Sequence, residues 1–455
     1  MNCGMKFSAA LLLTASCFST FAATTPEEAK QLGSTLTDFG AVQAASKDGA
    51  IPAYTGGLQS PPTSYDPAKP GVLPDPFADE KPLFSIDAKN VAQYGDKLAA
   101  GVKAMLAKYP DYRLDVYPGH RTMVYPKYVL DNSVKNATQC NAVGESLKGC
   151  AAGLPFPIPK TGDEVMWDKF LAYQGVSSTF KIGSYVVDAS GNLTLMGWDH
   201  ASQEAPFYDP SNNGSNDDMV MMRFRYDTVK PPRAAGERLL LSYPVDLAKD
   251  ASIYQYLPGQ RRVKLSPDLA YDTPNPQSAG SSGMDDVRGF FGRMDRFDFK
   301  LVGKKEMYIP YNSFKLFAPE CADEKLMTKS YLNPACVRWE LHRVWVVEAT
   351  LKPGRRHIYS KRIMYVDEDS YGGGVYEGYD AAGKLYRVTE QLPFLSYNDK
   401  NLGMFVQPFV TYDLQTGIYG AFNQPSHEQG GQGPVFGKLP SREWTPDALA
   451  GSGIR

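Results

Sequence analysis

The 455-residue chain is poor in most of the features that announce a chemistry. Its 48 basic and 50 acidic residues leave a formal net charge of -2, so bulk attraction to nucleic acid or to an anionic membrane has no basis and recognition must come from a local site. Histidine is scarce: none of His120, His200, His342, His357 and His427 belongs to a His-Glu-x-x-His motif, and no metal-ligating residue is assigned. The chain also lacks a Gly-x-Ser-x-Gly elbow, a phosphate loop ending in Gly-Lys-Ser/Thr and a dinucleotide fingerprint opening a helix after a strand. No catalytic residue and no cofactor follow from the sequence, and a hydrolase is the weakest of the functions considered.

Long apolar runs are missing except near the start. Lys6 precedes the run Phe7 to Ala15, and small residues lead to Ala22, the pattern of a secretory signal over residues 1–22. The run is too short to span a bilayer. Cysteine is sparse as well, and removal of the signal takes Cys3 and Cys17 with it. Cys140, Cys150, Cys321 and Cys336 remain. In an exported chain they are read as disulfides, and of the three possible connectivities the spacing favours Cys140 with Cys150 and Cys321 with Cys336. Zinc is disfavoured because neither pair has Cys-x-x-Cys spacing.

What the chain does contain is helix signals early and strand signals late. Pro26, Glu27 and Glu28 open a short helix that Gly33 closes. Residues 50–84 are dense in Pro and Gly and are expected to lie along the surface of the domain. Val91, Tyr94, Leu98, Val102, Met105 and Tyr109 recur at three- and four-residue steps, which predicts one helix over 88–108. Thr161-Gly-Asp-Glu164 is a capping box and begins a second.

Beyond Gly175 the pattern is β. Asp-Ala-Ser-Gly-Asn after residue 187, Asp-Ala-Ala-Gly-Lys after 379 and Asp-Leu-Gln-Thr-Gly after 412 are three turns of one chemistry, each flanked by strand-like segments. Further strands are expected over 219–228, 239–247, 253–265, 338–351 and 356–366. Short connections give an antiparallel meander, so the expected fold is mainly β (α+β): a curved antiparallel half-barrel of about ten strands with helices packed across its concave face. The expected division is residues 23–160 as an extended N-terminal segment with helix, and 161–455 as the β domain.

The stretch Ile253 to Asn312 organises the rest. Asp285, Asp286, Arg288, Arg293, Asp295 and Arg296 alternate in sign around Phe290, Phe291, Met294 and Phe297, a mixture that suits the rim of a cavity better than a uniform core. Phe290, Phe291 and Arg288 are therefore ligand-binding candidates, with Tyr256 and with the strand indoles Trp339 and Trp345, which share one continuous apolar side. Asp285 and Asp286 are read as a turn cap more than as an acid pair, because adjacent carboxylates point apart in an extended chain.

The segments Tyr256-Leu-Pro-Gly-Gln-Arg-Arg-Val263, Asp285 to Gly292 and Lys305-Glu-Met-Tyr-Ile-Pro-Tyr-Asn312 together resemble the bacterial family called domain of unknown function 1329 (DUF1329). Leu32 to Thr37, Gly49 to Gly57 and Gly153 to Gly162 match its other signatures, so the resemblance covers nearly the whole chain beyond the signal. It implies a periplasmic protein of a Gram-negative bacterium with a fold like that of the lipoprotein carriers LolA and LolB. Members of that family are often encoded near outer-membrane barrels and lipid-type exporters, which the resemblance makes candidate partners. The expected function is binding or carriage of a lipid or other amphiphile, with an accessory subunit docking on a barrel or exporter as the alternative.

Overall fold

The computed structural model describes residues 24–211, 219–398, 400–425, 427 and 432–451. The signal sequence expected over 1–22 lies outside the described residues. Local chemistry sets two helix starts. The Thr25 hydroxyl accepts from the Glu28 N–H and Glu28 reaches back to the Thr25 N–H, opening Pro26–Ala29. The Thr161 hydroxyl accepts from the Glu164 N–H at 3.2 Å and opens Gly162–Phe170.

The single helix expected over 88–108 is helical only from Ala100 to Lys108. Val91–Gln93 and Gly95–Lys97 are isolated 3-10 turns, and Leu98 and Ala99 are extended, with ψ of 137° and 150°. Gly95 in the middle of the periodic run lowers its helical preference. Another helix, Lys127–Gln139, carries little sequence signal because its buried face is Val129, Ser133, Asn136 and Ala137. Its polar members bind the chain that follows: Ser133 Oγ accepts from the Leu154 N–H at 2.8 Å, and the Asn136 amide donates to the carbonyls of Ala151 and Leu154 at 3.0 Å each.

The three hairpins form as their turns dictate. Ser177–Val187 pairs with Leu193–Glu204, Gly374–Tyr379 with Leu385–Gln391, and Phe409–Asp413 with Tyr419–Pro425. In each turn an aspartate accepts two backbone N–H groups, Asp188 from Ser190 and Asn192, Asp380 from Ala382 and Lys384, and Asp413 from Gln415 and Thr416. These strands belong to one sheet of 16, more than the ten expected. Segment 253–265 breaks at Pro258-Gly259 into Ser252–Leu257 and Arg262–Leu265, Phe297–Pro310 adds a long strand, and Phe84–Ile86, Leu114–Val116 and Val435–Phe436 add short ones.

The sheet is open. From Phe297–Pro310 the order runs through Trp339–Leu351, Lys361–Asp367, the 374–391 hairpin and the 409–425 hairpin, then through the 177–204 hairpin, Val220–Lys230, Arg238–Pro244 and Ser252–Leu257 to Arg262–Leu265. Every pairing is antiparallel except that of Val116 with Trp339. Phe297–Pro310 and Arg262–Leu265 thus lie at opposite ends of this series. Residues 266–296, which join them, have to cross a whole face of the sheet.

The crossing also reveals the curvature. Gly374–Tyr379 and Val220–Lys230 are six strand steps apart, roughly 29 Å in a flat sheet at about 4.8 Å per step. Yet Arg288 Nη1 lies 3.5 Å from Met222 Sδ, and a Cβ on Gly289 would fall 2.2 Å from the Tyr376 ring. Two consecutive residues reach both strands, so the sheet is strongly curled around the crossing. The helix Gly162–Phe170 packs inside the same curl, with Phe170 against Phe290 and Phe291 at ring separations of 5.9 and 5.5 Å.

Strand alternation puts the N-terminal segment outside. Tyr376 faces the crossing, so Glu377 faces away, and it accepts from the Gly101 N–H at 2.6 Å where helix Ala100–Lys108 lies over Val388. Both sheet faces are buried here, which is why Glu377 and Glu390 are enclosed. Cys140–Cys150 and Cys321–Cys336 are disulfides with Cα separations of 4.4 and 5.6 Å. No helix among the described residues is long and apolar enough to cross a membrane.

Candidate functional site

The crossing is fastened to the sheet by charge. Arg362, from Lys361–Asp367, places Nη1 at 3.2 Å from Asp285 Oδ2 and Nη2 at 2.6 Å from Asp286 Oδ1. Arg387 Nη1 lies 3.3 Å from Asp286 Oδ2, the Tyr359 hydroxyl donates to that oxygen at 3.0 Å, and His357 Nε2 is 2.9 Å from Asp285 Oδ2. Asp286 also caps the turn, accepting the Gly283 N–H at 2.7 Å. Burial pushes the Asp285 carboxyl up, but Arg362 and His357 outweigh it and hold the group below the ordinary carboxylate range. The acid pair is thus consumed by structural partners and fixes the loop.

The backbone turns sharply after that anchor. Arg288 has φ 56° and ψ 31° and Gly289 has φ 80°, two successive left-handed residues. Strained backbone at a non-glycine residue persists where the surroundings over-determine it. Here the Lys169 ammonium donates to the carbonyls of Arg288 and Phe290 at 2.6 and 3.0 Å. The turn sends the Phe290 and Phe291 side chains apart. Phe290 packs on Phe299 at 5.6 Å and under the Arg362 guanidinium at 4.8 Å, whereas Phe291 packs on Tyr243 at 4.7 Å.

Beside Phe291 the crossing stands off the sheet and leaves a cavity that is partly open to solvent. Phe224, Leu239, Leu241 and Tyr243 line it from two adjacent strands, Phe409 and Phe422 from a hairpin, and Met284, Val287, Arg288 and Phe291 from the crossing. The polar residues Thr228, Glu237, Arg238, Gln255, Gln277, Gln407 and Asn423 interrupt this apolar wall. A mostly apolar concavity with a few convergent polar groups is the general form of a small-molecule site.

A second polar centre lies elsewhere. His342 sits between Glu340, with Nε2 to Oε2 at 3.1 Å, and Asp367, with Nδ1 to Oδ1 at 3.4 Å, and with Asp369 it forms a cluster of potential ligand atoms. Those atoms are engaged by the protein: Arg121 takes both Asp369 oxygens at 2.6 and 2.8 Å, and Ser370 donates to Asp367 Oδ2.

The model of the family described as "Protein of unknown function (DUF1329)" matches residues 85–450. The chain belongs to that family. The Pseudomonas aeruginosa protein described as uncharacterized protein PA3922 is 38% identical over 442 residues, 95% of each chain. Among solved structures, a DUF1329 family protein from Desulfovibrio piger is similar at 13% identity, covering 63% of this chain and 97% of its own, with a TM-score of 0.41. A LolA superfamily protein from Nitrosomonas europaea is similar at 11% identity, covering 64% and 100%, with a TM-score of 0.36.

In this DUF1329 protein two of the six residues expected to bind a ligand, Arg288 and Phe291, line the cavity. Phe290 does not, because the left-handed turn directs it into the core with Phe170 and Phe297. Tyr256 packs with Leu240, Trp444 and Leu449 in a separate cluster. Trp339 is buried in the main core, and Trp345 is half-buried with its ring 4.1 Å from Lys304 Nζ. Many of the other lining residues come from Val220–Lys230 and Arg238–Pro244, both expected as strands. Their inward alternation, Phe224 and Tyr226, Leu239, Leu241 and Tyr243, is the signal that marks them.

Proposed function

We propose that this protein holds the apolar part of an amphiphilic molecule, such as a lipid, in the cavity between the crossing and strands Val220–Lys230 and Arg238–Pro244, and acts as an envelope carrier and not as a catalyst. The observation that carries this reading is the chamber itself: an apolar wall on the inner face of a curled, open sheet, covered by a loop that charged pairs fasten at one end. Burial supplies roughly 0.8 kcal/mol per methylene, so roughly ten methylenes match the −8 kcal/mol of micromolar binding before the cost of immobilisation is subtracted. The disulfides support an oxidising compartment, the periplasm in this reading. Exchange with an outer-membrane barrel or an inner-membrane exporter is the transport step it would serve.

Titration with the neutral fluorescent probe N-phenyl-1-naphthylamine tests it. Saturable binding is expected, weakened about tenfold by Phe291→Ala and by Leu241→Ala. Absence of saturable binding, or equal binding by wild type and both variants, would remove the cavity as the site. Recovery of an empty chain bound to a membrane partner from its own cells would favour the accessory-subunit reading.

A further inference from the structure

Arg288 is the anomaly of the cavity. It is 2% exposed and has no carboxylate within ion-pair distance among the described residues, although the other buried arginines, Arg121, Arg225, Arg338, Arg362 and Arg387, each have one. Its nearest polar contacts are weak: Met222 Sδ and the Lys169 carbonyl, both at 3.5 Å, and Nε has no partner. A buried guanidinium is costly unless paired, and five donors this poorly satisfied call for an explanation.

The surroundings favour an anion that is not part of the chain. Arg288 lines the cavity beside Tyr226 and Tyr243, whose hydroxyls bond to no described residue. Lys169, also fully enclosed, is a cationic neighbour and has no acidic partner among the described residues. The one carboxylate lining the cavity, Glu237, is partly exposed and answers to Arg233. Burial lowers the Arg288 guanidinium to about 10, which leaves it charged at neutral pH. Meanwhile the Asp285 and Asp286 anchor and the left-handed turn hold Arg288 in place.

We propose that Arg288, with the Tyr226 and Tyr243 hydroxyls, binds the anionic head group of the amphiphile, a carboxylate or a phosphate, while Phe291 and Leu241 hold its chain. This rests on the cavity being the apolar site described above. Guanidinium geometry matches both head groups in a bidentate way.

Displacement of N-phenyl-1-naphthylamine from the protein lacking residues 1–22 by laurate, dodecyl phosphate and dodecanol, which share one chain length, is the test. Laurate, dodecyl phosphate or both should bind at least tenfold more tightly than dodecanol, and the stronger of the two identifies the head group. Arg288→Met should erase that preference and leave dodecanol within twofold, and Arg288→Lys should keep part of it. Equal displacement by all three, with Arg288→Met changing none, would overturn the head-group assignment while the apolar site stands. Failure of the probe to bind at all would overturn the site itself. Should Arg288→Met not fold, the wild-type comparison of charged with neutral ligands still decides.

Discussion

Arg362 Nη2 and Asp286 Oδ1 lie 2.6 Å apart, with the two side chains 3% and 4% exposed, and this pair ties the crossing to the sheet beneath it. Removing one member of a buried pair leaves the other uncompensated, at a cost of about 3–5 kcal/mol. Asp286→Asn and Arg362→Met should each lower stability by that amount in urea unfolding, and the double variant should lose less than the sum. An Asp286→Asn protein with the wild-type midpoint would contradict the anchoring role. The same result separates anchor from acid, because an exposed catalytic carboxylate would tolerate Asn.

How much of this was legible follows from the kind of signal each part leaves. The hairpins were readable because Asp188, Asp380 and Asp413 act within their own turns, and the Thr161 cap acts within one helical turn. The mixture of charges and aromatics over 285–299 also singled out a stretch of which Val287, Arg288 and Phe291 line the cavity. What it could not show was which aromatic faces the cavity. Phe290 and Phe291 part ways because Arg288 is left-handed, and its carbonyl is held there by Lys169, far away in sequence. The partners of Asp285 and Asp286 were equally hidden, since Arg362 and Arg387 reach them only once the sheet curls.

Two buried groups, His342 and Glu390, each weaken the fold as pH rises. Despite burial, Asp367 and Glu340 raise His342 from 6.5 to about 10, so the folded protein binds this proton more tightly than the unfolded chain does. That contribution is complete below about pH 6.5 and is lost as pH rises toward 10. Burial raises Glu390 from 4.5 to about 8 against the Tyr112 hydroxyl bond, so it too weakens the fold as pH rises, between about 4.5 and 8. Unfolding midpoints taken from pH 5 to 10 should fall throughout. His342→Gln should flatten the upper part and Glu390→Gln the lower. A wild-type profile that is level from pH 6.5 to 9.5 would refute the His342 assignment.

The disulfides Cys140–Cys150 and Cys321–Cys336 close short loops, and each should contribute roughly 3 kcal/mol by restricting the unfolded chain. Non-reducing peptide mapping should recover these two local pairs. Paired Cys→Ser replacement at either should lower the urea midpoint without moving the binding of the apolar probe, because none of the four cysteines lines the cavity. Cross-linked peptides joining the two halves would show the pairing to be different.

Gly289 provides the most direct link between the backbone turn and the site. At φ 80° an alanine is strained by about 1 kcal/mol, and its Cβ would fall 2.2 Å from the Tyr376 ring, which is 4% exposed and has the Lys169 ammonium 5.0 Å away on its face. Neither the ring nor the lysine has room to retreat, so the turn itself has to shift and Arg288 moves with it. Gly289→Ala should therefore lower stability by more than about 2 kcal/mol and weaken laurate at least tenfold, while dodecanol changes less. Gly259→Ala is the control: its Cβ meets nothing within 4 Å, and it should stay within about 0.5 kcal/mol of wild type with unchanged binding. If both variants behaved alike in urea and in laurate displacement, the left-handed turn would not be what positions Arg288.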